Sequence, residues 1–438
     1  MNLKGKKVAI LGAGGSGFAA ATLALSHGAS VAAFDSGEPE RLAPAVDQFE
    51  AIGVVLTCGD AALTTAEKFD VAVLSPGIAL SWPIAETFAE ASSELIGEIE
   101  FASRLANSPI IAITGTNGKT TTTSLIAEML RVAGLEVVAA GNIGLPLSSV
   151  ANNGVDYDFI VLEVSSFQLE TIDRFSPEIA VWTNFAPDHM DRYRSLEEYR
   201  NAKLRIFENW TENSTAICKL EDEVGPENGK VTFSAFSKGG DYHFHEGTIL
   251  GGASGQGFDF SAAELQGRHN AENVMMALAV ADTLEIDRAT INASLEGFRA
   301  PSHRCEKIAI IDRVVFLNDS KSTNLHSLES ALAGQDAPLV LIVGGKNKGL
   351  DYSELRELAA RKVKQAICIG EIAEEIASSW SQSLPCEVAS SLSNAVQRAA
   401  SSARPGDVVL FSPGTSSFDM FSGYEARGEA FREAVETL

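Results

Sequence analysis

Residues Ile110 to Thr121 read IIAITGTNGKTT, and the architecture follows from how that run divides. Ile110–Thr114 is apolar and β-branched, the composition of a strand buried on both faces. A glycine loop follows, Gly115-Thr116-Asn117-Gly118. Lys119-Thr120-Thr121 then opens a helical pattern with Leu125, Ile126, Met129 and Leu130 on one face, ending near Gly134. Strand, glycine loop and helix in that order aim backbone N–H groups at phosphates. Lys119 then reaches the terminal phosphates and Thr120 a Mg²⁺ ion. The spacing is tighter than G-x4-G-K-[ST], because only Thr116 and Asn117 separate the two glycines.

The same punctuation recurs on both sides. KKVAILGAG (6–14), ASVAAFDSG (29–37), FDVAVLSPG (69–77), EVVAAGNIG (136–144), DFIVLEVSS (158–166) and EIAVWTNFA (178–186) are apolar runs ending in small polar residues. RVVFLNDSK (313–321), PLVLIVGGK (338–346), KQAICIGE (364–371) and GDVVLFSPG (406–414) repeat the pattern. Runs of this kind, separated by stretches long enough for crossover helices, predict parallel sheets of the α/β class. The pattern restarts near Glu98–Pro109, and Pro and Gly interrupt it in GFRAPSHR (297–304). Three domains are expected, at 1–98, 99–300 and 301–438, with a β-rich insertion over Glu212–Gln266. The 438 residues suit that number at about 150 per domain. In open α/β sheets the C-terminal strand ends carry ligands, and the polar clusters fall there.

Composition narrows the partners. The net charge is −24, so nucleic acid and anionic membranes are repelled at long range. Cations inside motifs therefore mark the places where small anions bind. Five cysteines, Cys58, Cys218, Cys305, Cys368 and Cys386, show no metal or redox spacing and are expected to be reduced. The N-terminal apolar run is cut short by glycines, and no stretch approaches the ~18 apolar residues of a membrane span. A soluble, cytoplasmic, monomeric protein is expected.

Four further clusters carry chemistry. Gly12-x-Gly14-x-x-Gly17 follows a strand, and Asp35 follows the next one. That spacing suits NAD, FAD or another nucleotide diphosphate, or a purely structural turn. Glu163 ends a buried strand, either as a solvated end or as a Mg²⁺ ligand beside the phosphate loop. Thr183–His189 precedes a helical stretch, Ser195–Phe207, with Leu196, Tyr199, Ile206 and Phe207 on one face. Lys203 falls in the middle of that face, where it either snorkels or is desolvated. A desolvated lysine of lowered pKa can take up CO₂ as a carbamate and offer oxygens to Mg²⁺, with His189 as partner or as a structural residue. Asn270 and Asn273, at i and i+3 of a helix start, suit either a cap or the edge of a base.

The last third of the chain supplies an anion-binding rim: Pro301-Ser-His303-Arg304, Asn318-Asp319-Ser320-Lys321-Ser322-Thr323-Asn324, Gly344–Gly349 and Ser412–Asp419.

Taken together, GTNGKTT, EVSSFQLE, TNFAPDHMDRY with Lys203, GRHNAEN and PSHR resemble the Mur ligase family, which builds the peptidoglycan peptide. SPGIAL, GNIGLP, NDSKSTN and SPGTSSFD resemble its D-glutamate-adding branch, since other branches carry a DYAHNP-like segment in place of NDSKSTN. The resemblance implies a Rossmann-like N-terminal domain, a P-loop ATPase-like central domain and a Rossmann-like C-terminal domain. It implies that D-glutamate is joined to UDP-N-acetylmuramoyl-L-alanine at the cost of ATP. Ser16, Asp35, Ser36, Gly77 and Asn142 would face the UDP-sugar. Gly115, Thr116, Asn117, Gly118, Lys119, Thr120, Thr121, Asn270, Asn273, Arg304, Asp319 and Lys321 would bind ATP. Thr120, Glu163, His189 and carbamylated Lys203 would hold two Mg²⁺ ions, and Lys119, Glu163, His189 and Lys203 would be catalytic. Thr323, Lys348, Ser417 and Phe418 would surround D-glutamate. Gly37 departs from relatives that carry Arg, and Tyr424 stands where Phe can occur.

Two rivals of other classes remain: a nicotinamide-dependent oxidoreductase and a non-catalytic nucleotide-binding regulator. The first leaves GTNGKTT, Lys203 and NDSKSTN without a role. The second leaves a full set of catalytic-type residues unexplained. A Mur-type ligase with a different amino acid is the nearer alternative.

Overall fold

The computed structural model describes every residue except 191, 253–256, 261–264, 266, 299–300 and 336. The expected break after residue 300 lies outside the described residues.

Three sheets carry the architecture. The first is parallel, with Leu56–Cys58, Ser30–Asp35, Lys7–Leu11, Val71–Leu74 and Leu95–Gly97 side by side in that order. Strand order reverses beside Lys7–Leu11, and Gly12 leaves the sheet at that switch point. In the second sheet Ile110–Thr114 lies between Phe159–Glu163 and Ile179–Trp182, parallel to both, with Val137–Gly141 at one edge. The glycine loop thus leaves the middle of a sheet whose apolar strands are buried on both faces.

The β-rich stretch extends this sheet. Thr215–Lys219, Lys230–Ser234 and Tyr242–His245 continue it in parallel, and Thr248–Gly251 and Phe258–Asp259 finish it antiparallel. The third sheet runs Glu306–Ile311, Val314–Asn318, Val408–Phe411, Leu339–Gly344, Val363–Ile369 and Cys386–Val388, and only its first strand is antiparallel. Glu306–Ile311 escapes an apolar-run reading because no residue of it is fully buried.

The first two sheets share one core. Leu3, Val8 and Ile10 of the first pack in one cluster with Ile110, Ala112 and Leu162 of the second. The helix Glu98–Ser103 bridges them, with Ile99, Phe101 and Ala102 in the same cluster. Glu100 is fully buried there and accepts from the backbone N–H groups of Asp173, Arg174 and Phe175. The third sheet has its own cores and meets the second through polar side chains at the phosphate loop. All five cysteines are free thiols. Among the described residues no helix is long and apolar enough to cross a membrane.

Candidate functional site

The phosphate loop is fixed before any ligand arrives. Gly115 has φ +140°, and a Cβ there would lie 1.9 Å from Thr183 Oγ1. Gly118 has φ +83°, a left-handed conformation that glycine adopts without strain. Thr183 Oγ1 and Asn184 Nδ2 donate to the carbonyl of Asn117 at 2.6 and 3.0 Å, and Asn117 N donates to Asn184 Oδ1 at 3.0 Å. The helix Lys119–Val132 starts immediately after this loop. Lys119 Nζ folds back onto the carbonyls of Gly115 and Thr116 at 3.0 and 2.9 Å. Burial pushes its pKa down, Arg304 adds to the effect, and Glu163 and Asp188 oppose it.

Lys203 is 2% exposed, on the buried face of the helix Leu196–Leu204 with Tyr199 and Ala202. Its Nζ sits 4.7 Å from the centre of the Tyr199 ring and donates to the carbonyl of Gly115 at 2.7 Å. Burial first, and Lys119 second, hold its pKa well below the ordinary lysine value. Leu196, expected on the same face, is 41% exposed, because the helix begins there at its capping residue Ser195. The apolar face starts one turn later. Ile206 and Phe207 follow in a 3-10 turn.

Glu163 is 1% exposed; Oε1 accepts from Asn142 Nδ2 at 2.8 Å, and Oε2 is buried with no partner among the described residues. A buried carboxylate oxygen left unpaired is costly unless a cation or donor completes it. That oxygen and the Thr120 hydroxyl fit a hard divalent cation. His189 has φ +56°, and its ring lies 4.8 Å from Phe167 and 5.9 Å from Tyr199, centre to centre. Its pKa is lowered by burial, partly offset by Asp188. Among the described residues no group of three or more His, Cys, Asp or Glu could hold a metal ion. A second cation beside His189 would therefore need oxygens that an unmodified Lys203 does not supply.

The third sheet's loops reach over this loop. Arg304 donates to Thr120 Oγ1 at 2.7 Å, with Lys321 Nζ at 3.3 Å from the same oxygen. Burial lowers Lys321 to about 8 and raises Asp319 to about 6. Asp319 accepts from Ser412 Oγ at 2.7 Å and from Cys305 N at 3.1 Å. Lys348 pairs with Asp188 at 3.3 Å. In a chain of net charge −24, Lys119, Lys203, Arg304, Lys321 and Lys348 thus converge on one place, a setting that favours anions.

Beside them opens a cavity of about 130 Å³ lined by Asn270, Asn273, Phe236, Lys219, His269 and His326, among others. Asn273 Nδ2 donates to Asn270 Oδ1 at 3.0 Å, so the two amides share one face as the i, i+3 spacing predicts. Phe236 and His326 are invisible to motif reading. Phe236, 61% exposed, sits in the loop between Lys230–Ser234 and Tyr242–His245, and Lys219 and Arg268 lie over its ring at 5.2 and 5.5 Å. His326 Nδ1 lies 2.7 Å from Asn117 Nδ2 of the phosphate loop. His326 lies two residues beyond NDSKSTN, and Phe236 lies beside no motif.

A second glycine-rich loop lies at the strand ends of the first sheet. Gly12 has φ +100°, and a Cβ on Gly17 would lie 1.9 Å from the carbonyl of Gly12. Asp35 accepts from Ala13 N and Gly37 N, each at 2.8 Å, and so ties two loops together. Ser36 and Gly77 are exposed and Ser16 half-buried at the same strand ends. Asn142 follows the edge strand Val137–Gly141 of the second sheet and donates to Glu163. Of the remaining predicted residues, Ser417 is buried, Thr323 half-buried and Phe418 66% exposed. Among the described residues no hydrogen bond joins Ser16, Ser36, Thr323 or Ser417 to the phosphate loop.

Comparison with known proteins agrees with this geometry. Three family models match the chain: the Mur ligase MurD-like N-terminal domain over residues 6–97, the Mur ligase middle domain over 113–281, and the Mur ligase glutamate ligase domain over 303–414. UDP-N-acetylmuramoylalanine–D-glutamate ligase of Thermoanaerobacter sp. (strain X514) is 39% identical, covering 100% of both chains. The enzyme of that name from Acidobacterium capsulatum is also 39% identical, over 99% of this chain and 97% of its own. Among solved structures, UDP-N-acetylmuramate–alanine ligase of Thermotoga maritima shares the fold, with TM-score 0.63, 20% identity and 99% coverage of each chain. A pseudomurein peptide ligase of Methanothermus fervidus does so too, with TM-score 0.63, 19% identity and 99% coverage of each. With family models over all three sheets and full-length relatives at this identity, the chain belongs to the Mur ligase family.

Proposed function

We propose that the chain is an ATP-dependent ligase that joins D-glutamate to UDP-N-acetylmuramoyl-L-alanine, releasing ADP and phosphate, in cytoplasmic peptidoglycan precursor synthesis. The observation that carries this reading is the convergence of Arg304 and Lys321 on Thr120, directly over the phosphate loop. It supports a nucleotide held between the second and third sheets. The amino-acid choice is supported by NDSKSTN and by the names of the full-length relatives.

In this reading residues 1–98 bind the UDP-sugar, 99–300 bind ATP, and 301–438 bind D-glutamate and part of ATP. The γ-phosphate passes to the alanyl carboxylate, giving an acyl phosphate. The amine of D-glutamate attacks the acyl carbon, and the tetrahedral adduct collapses with loss of phosphate. The protein's share is orientation and charge neutralisation. Lys119 would leave the Gly115 and Thr116 carbonyls to reach the terminal phosphates. Arg304 and Lys321 would neutralise charge from the opposite side, and Asn270 and Asn273 would read adenine. Asp35 would act by holding the Ala13 and Gly37 loops around the uridine diphosphate. Thr120, Glu163, His189 and a carbamate on Lys203 are the residues that would hold Mg²⁺, which when bound supplies positive charge beside the transferring phosphoryl group.

The experiment is ADP release from ATP with UDP-N-acetylmuramoyl-L-alanine and, in turn, D-glutamate, L-glutamate, L-lysine and meso-diaminopimelate. Release with D-glutamate alone is expected. Release with another amino acid overturns the specificity, and release with none overturns the reaction.

A further inference from the structure

Two runs of sequence supply more than the proposed metal ligands. Glu170 closes EVSSFQLE, and Arg192 and Tyr193 close TNFAPDHMDRY. Glu170 Oε2 accepts from Arg192 at 2.8 Å, and Oε1 accepts from the Tyr193 hydroxyl at 2.5 Å. The backbone N–H groups of Arg192 and Tyr193 both donate to the carbonyl of His189 at 3.0 Å. The Arg192 guanidinium covers the Phe167 ring at 4.1 Å, and that ring in turn packs against His189 at 4.8 Å and Tyr193 at 5.9 Å.

The other side of Glu170 is held from the Lys203 end of the chain. Arg205, two residues beyond Lys203, donates to the carbonyls of Leu169, Glu170 and Ile172, and is itself paired with Glu208. One residue therefore joins the two elements. Its backbone is gripped by Arg205, and its side chain grips the turn that presents His189. That turn needs a grip, because His189 sits at φ +56°, where a residue with a Cβ is strained unless its surroundings over-determine it.

We propose that Glu170 is a positioning residue that fixes the His189 turn relative to Lys203, and so sets the spacing of the second cation site. The assignment rests on the metal roles proposed above for His189 and Lys203. The brace is a carboxylate with two charge-assisted or short hydrogen bonds in a half-buried setting, where such bonds are stronger than on an open surface. Losing it removes the carboxylate that Arg192 and Tyr193 share and leaves the left-handed turn without that restraint.

The test uses Glu170→Ala and Glu170→Gln in the full chain, with two readouts. Mn²⁺ binding is titrated by electron paramagnetic resonance with ADP present, and the rate of tryptic cleavage after Arg192 or Arg194 is followed without any substrate. In the alanine variant the weaker Mn²⁺ site should lose about tenfold or more in affinity, the range seen when groups that orient metal ligands are removed. Cleavage in the turn should accelerate by about tenfold, because it tracks local opening. The glutamine variant keeps an acceptor for Tyr193 and should fall between. Unchanged Mn²⁺ affinity and cleavage rate in Glu170→Ala overturn the proposal. If wild-type protein binds no second Mn²⁺, the metal reading of His189 and Lys203 fails, and the cleavage rate alone decides whether Glu170 sets the turn. Should Glu170→Ala fail to fold, Arg192→Met combined with Tyr193→Phe removes the same two bonds from the other side.

Discussion

The Lys203 ammonium donates to the carbonyl oxygen of Gly115 at 2.7 Å, joining residues 88 positions apart. The same oxygen accepts from Lys119. Two lysines thus share one acceptor at the mouth of the phosphate loop, each with its pKa lowered first by burial. An amine in that state is neutral more of the time than a surface lysine, and the neutral amine is the form that adds CO₂.

Lys203→Ala should lower ligase turnover by about 100-fold or more, the scale of loss when a metal site loses its support. Short carboxylates such as acetate or formate, added at high concentration, should restore part of it by occupying the space of the carbamate. Turnover in the plain variant equal to wild type removes the carbamate from the mechanism.

Two glycine substitutions separate the two nucleotide-type sites. Gly118→Ala puts a Cβ 2.5 Å from Asn273 Oδ1 at a residue with φ +83°. It should raise KM for ATP by at least about tenfold and cost about 1–3 kcal/mol of stability. Gly17→Ala drives a Cβ into the Gly12 carbonyl. It should raise KM for the UDP-sugar and leave ADP affinity within about twofold, since the two glycines share no neighbour. Equal effects of both variants on ADP affinity would contradict the division of labour.

Lys321 gives a pH dependence of definite sign. Burial, then Arg304, pulls it down to about 8, while an unfolded lysine titrates near about 10.4. Between those values the unfolded chain binds more protons at this position than the folded one, so its contribution to stability rises with pH across that window. A phosphate beside it favours the ammonium. Nucleotide binding should therefore take up a proton above pH about 8, and ADP affinity should fall as pH rises further. Calorimetry in two buffers of different ionisation enthalpy reads that proton directly. Lys321→Arg, which stays charged, should flatten the profile. A slope unchanged by the substitution assigns the proton to another group.

What the sequence revealed divides along physical lines. Strands buried on both faces, such as Ile110–Thr114 and Leu339–Gly344, announce themselves as nearly unbroken apolar runs. The strand Glu306–Ile311 is half-exposed and carries no such signature. Lys203 was legible because a lysine inside an apolar helical face breaks the pattern. Leu196 was misplaced because the same periodicity cannot tell where the buried face begins. Asn117, Thr120 and Asn273 stand in or beside motifs, but His326 reaches Asn117 only through the meeting of two sheets, and Phe236 reaches the cavity from a loop between two strands. Contacts between separate cores leave no period in either segment. Asp35 shows a role that spacing does not reveal: its oxygens accept from the backbone N–H groups of Ala13 and Gly37.

Lys348 and Asp188 carry the prediction that bears most directly on the amino acid. Their ion pair spans 3.3 Å between a loop of the third sheet and the residue before His189. Asn324 Nδ2 donates to the other Asp188 oxygen at 2.9 Å, so the third sheet holds Asp188 from two sides. The Lys348 ammonium already has a carboxylate partner of the kind D-glutamate would bring, and the incoming substrate would compete for it. Lys348→Met should therefore raise KM for D-glutamate by about 100-fold, the scale of a lost charge-assisted bond to a bound carboxylate, with KM for the UDP-sugar within about threefold. A rise in KM for ATP instead would place Lys348 with the phosphates. Unchanged KM for all three substrates would mean that the pair only joins the sheets, in which case the thermal midpoint should fall while turnover stays the same.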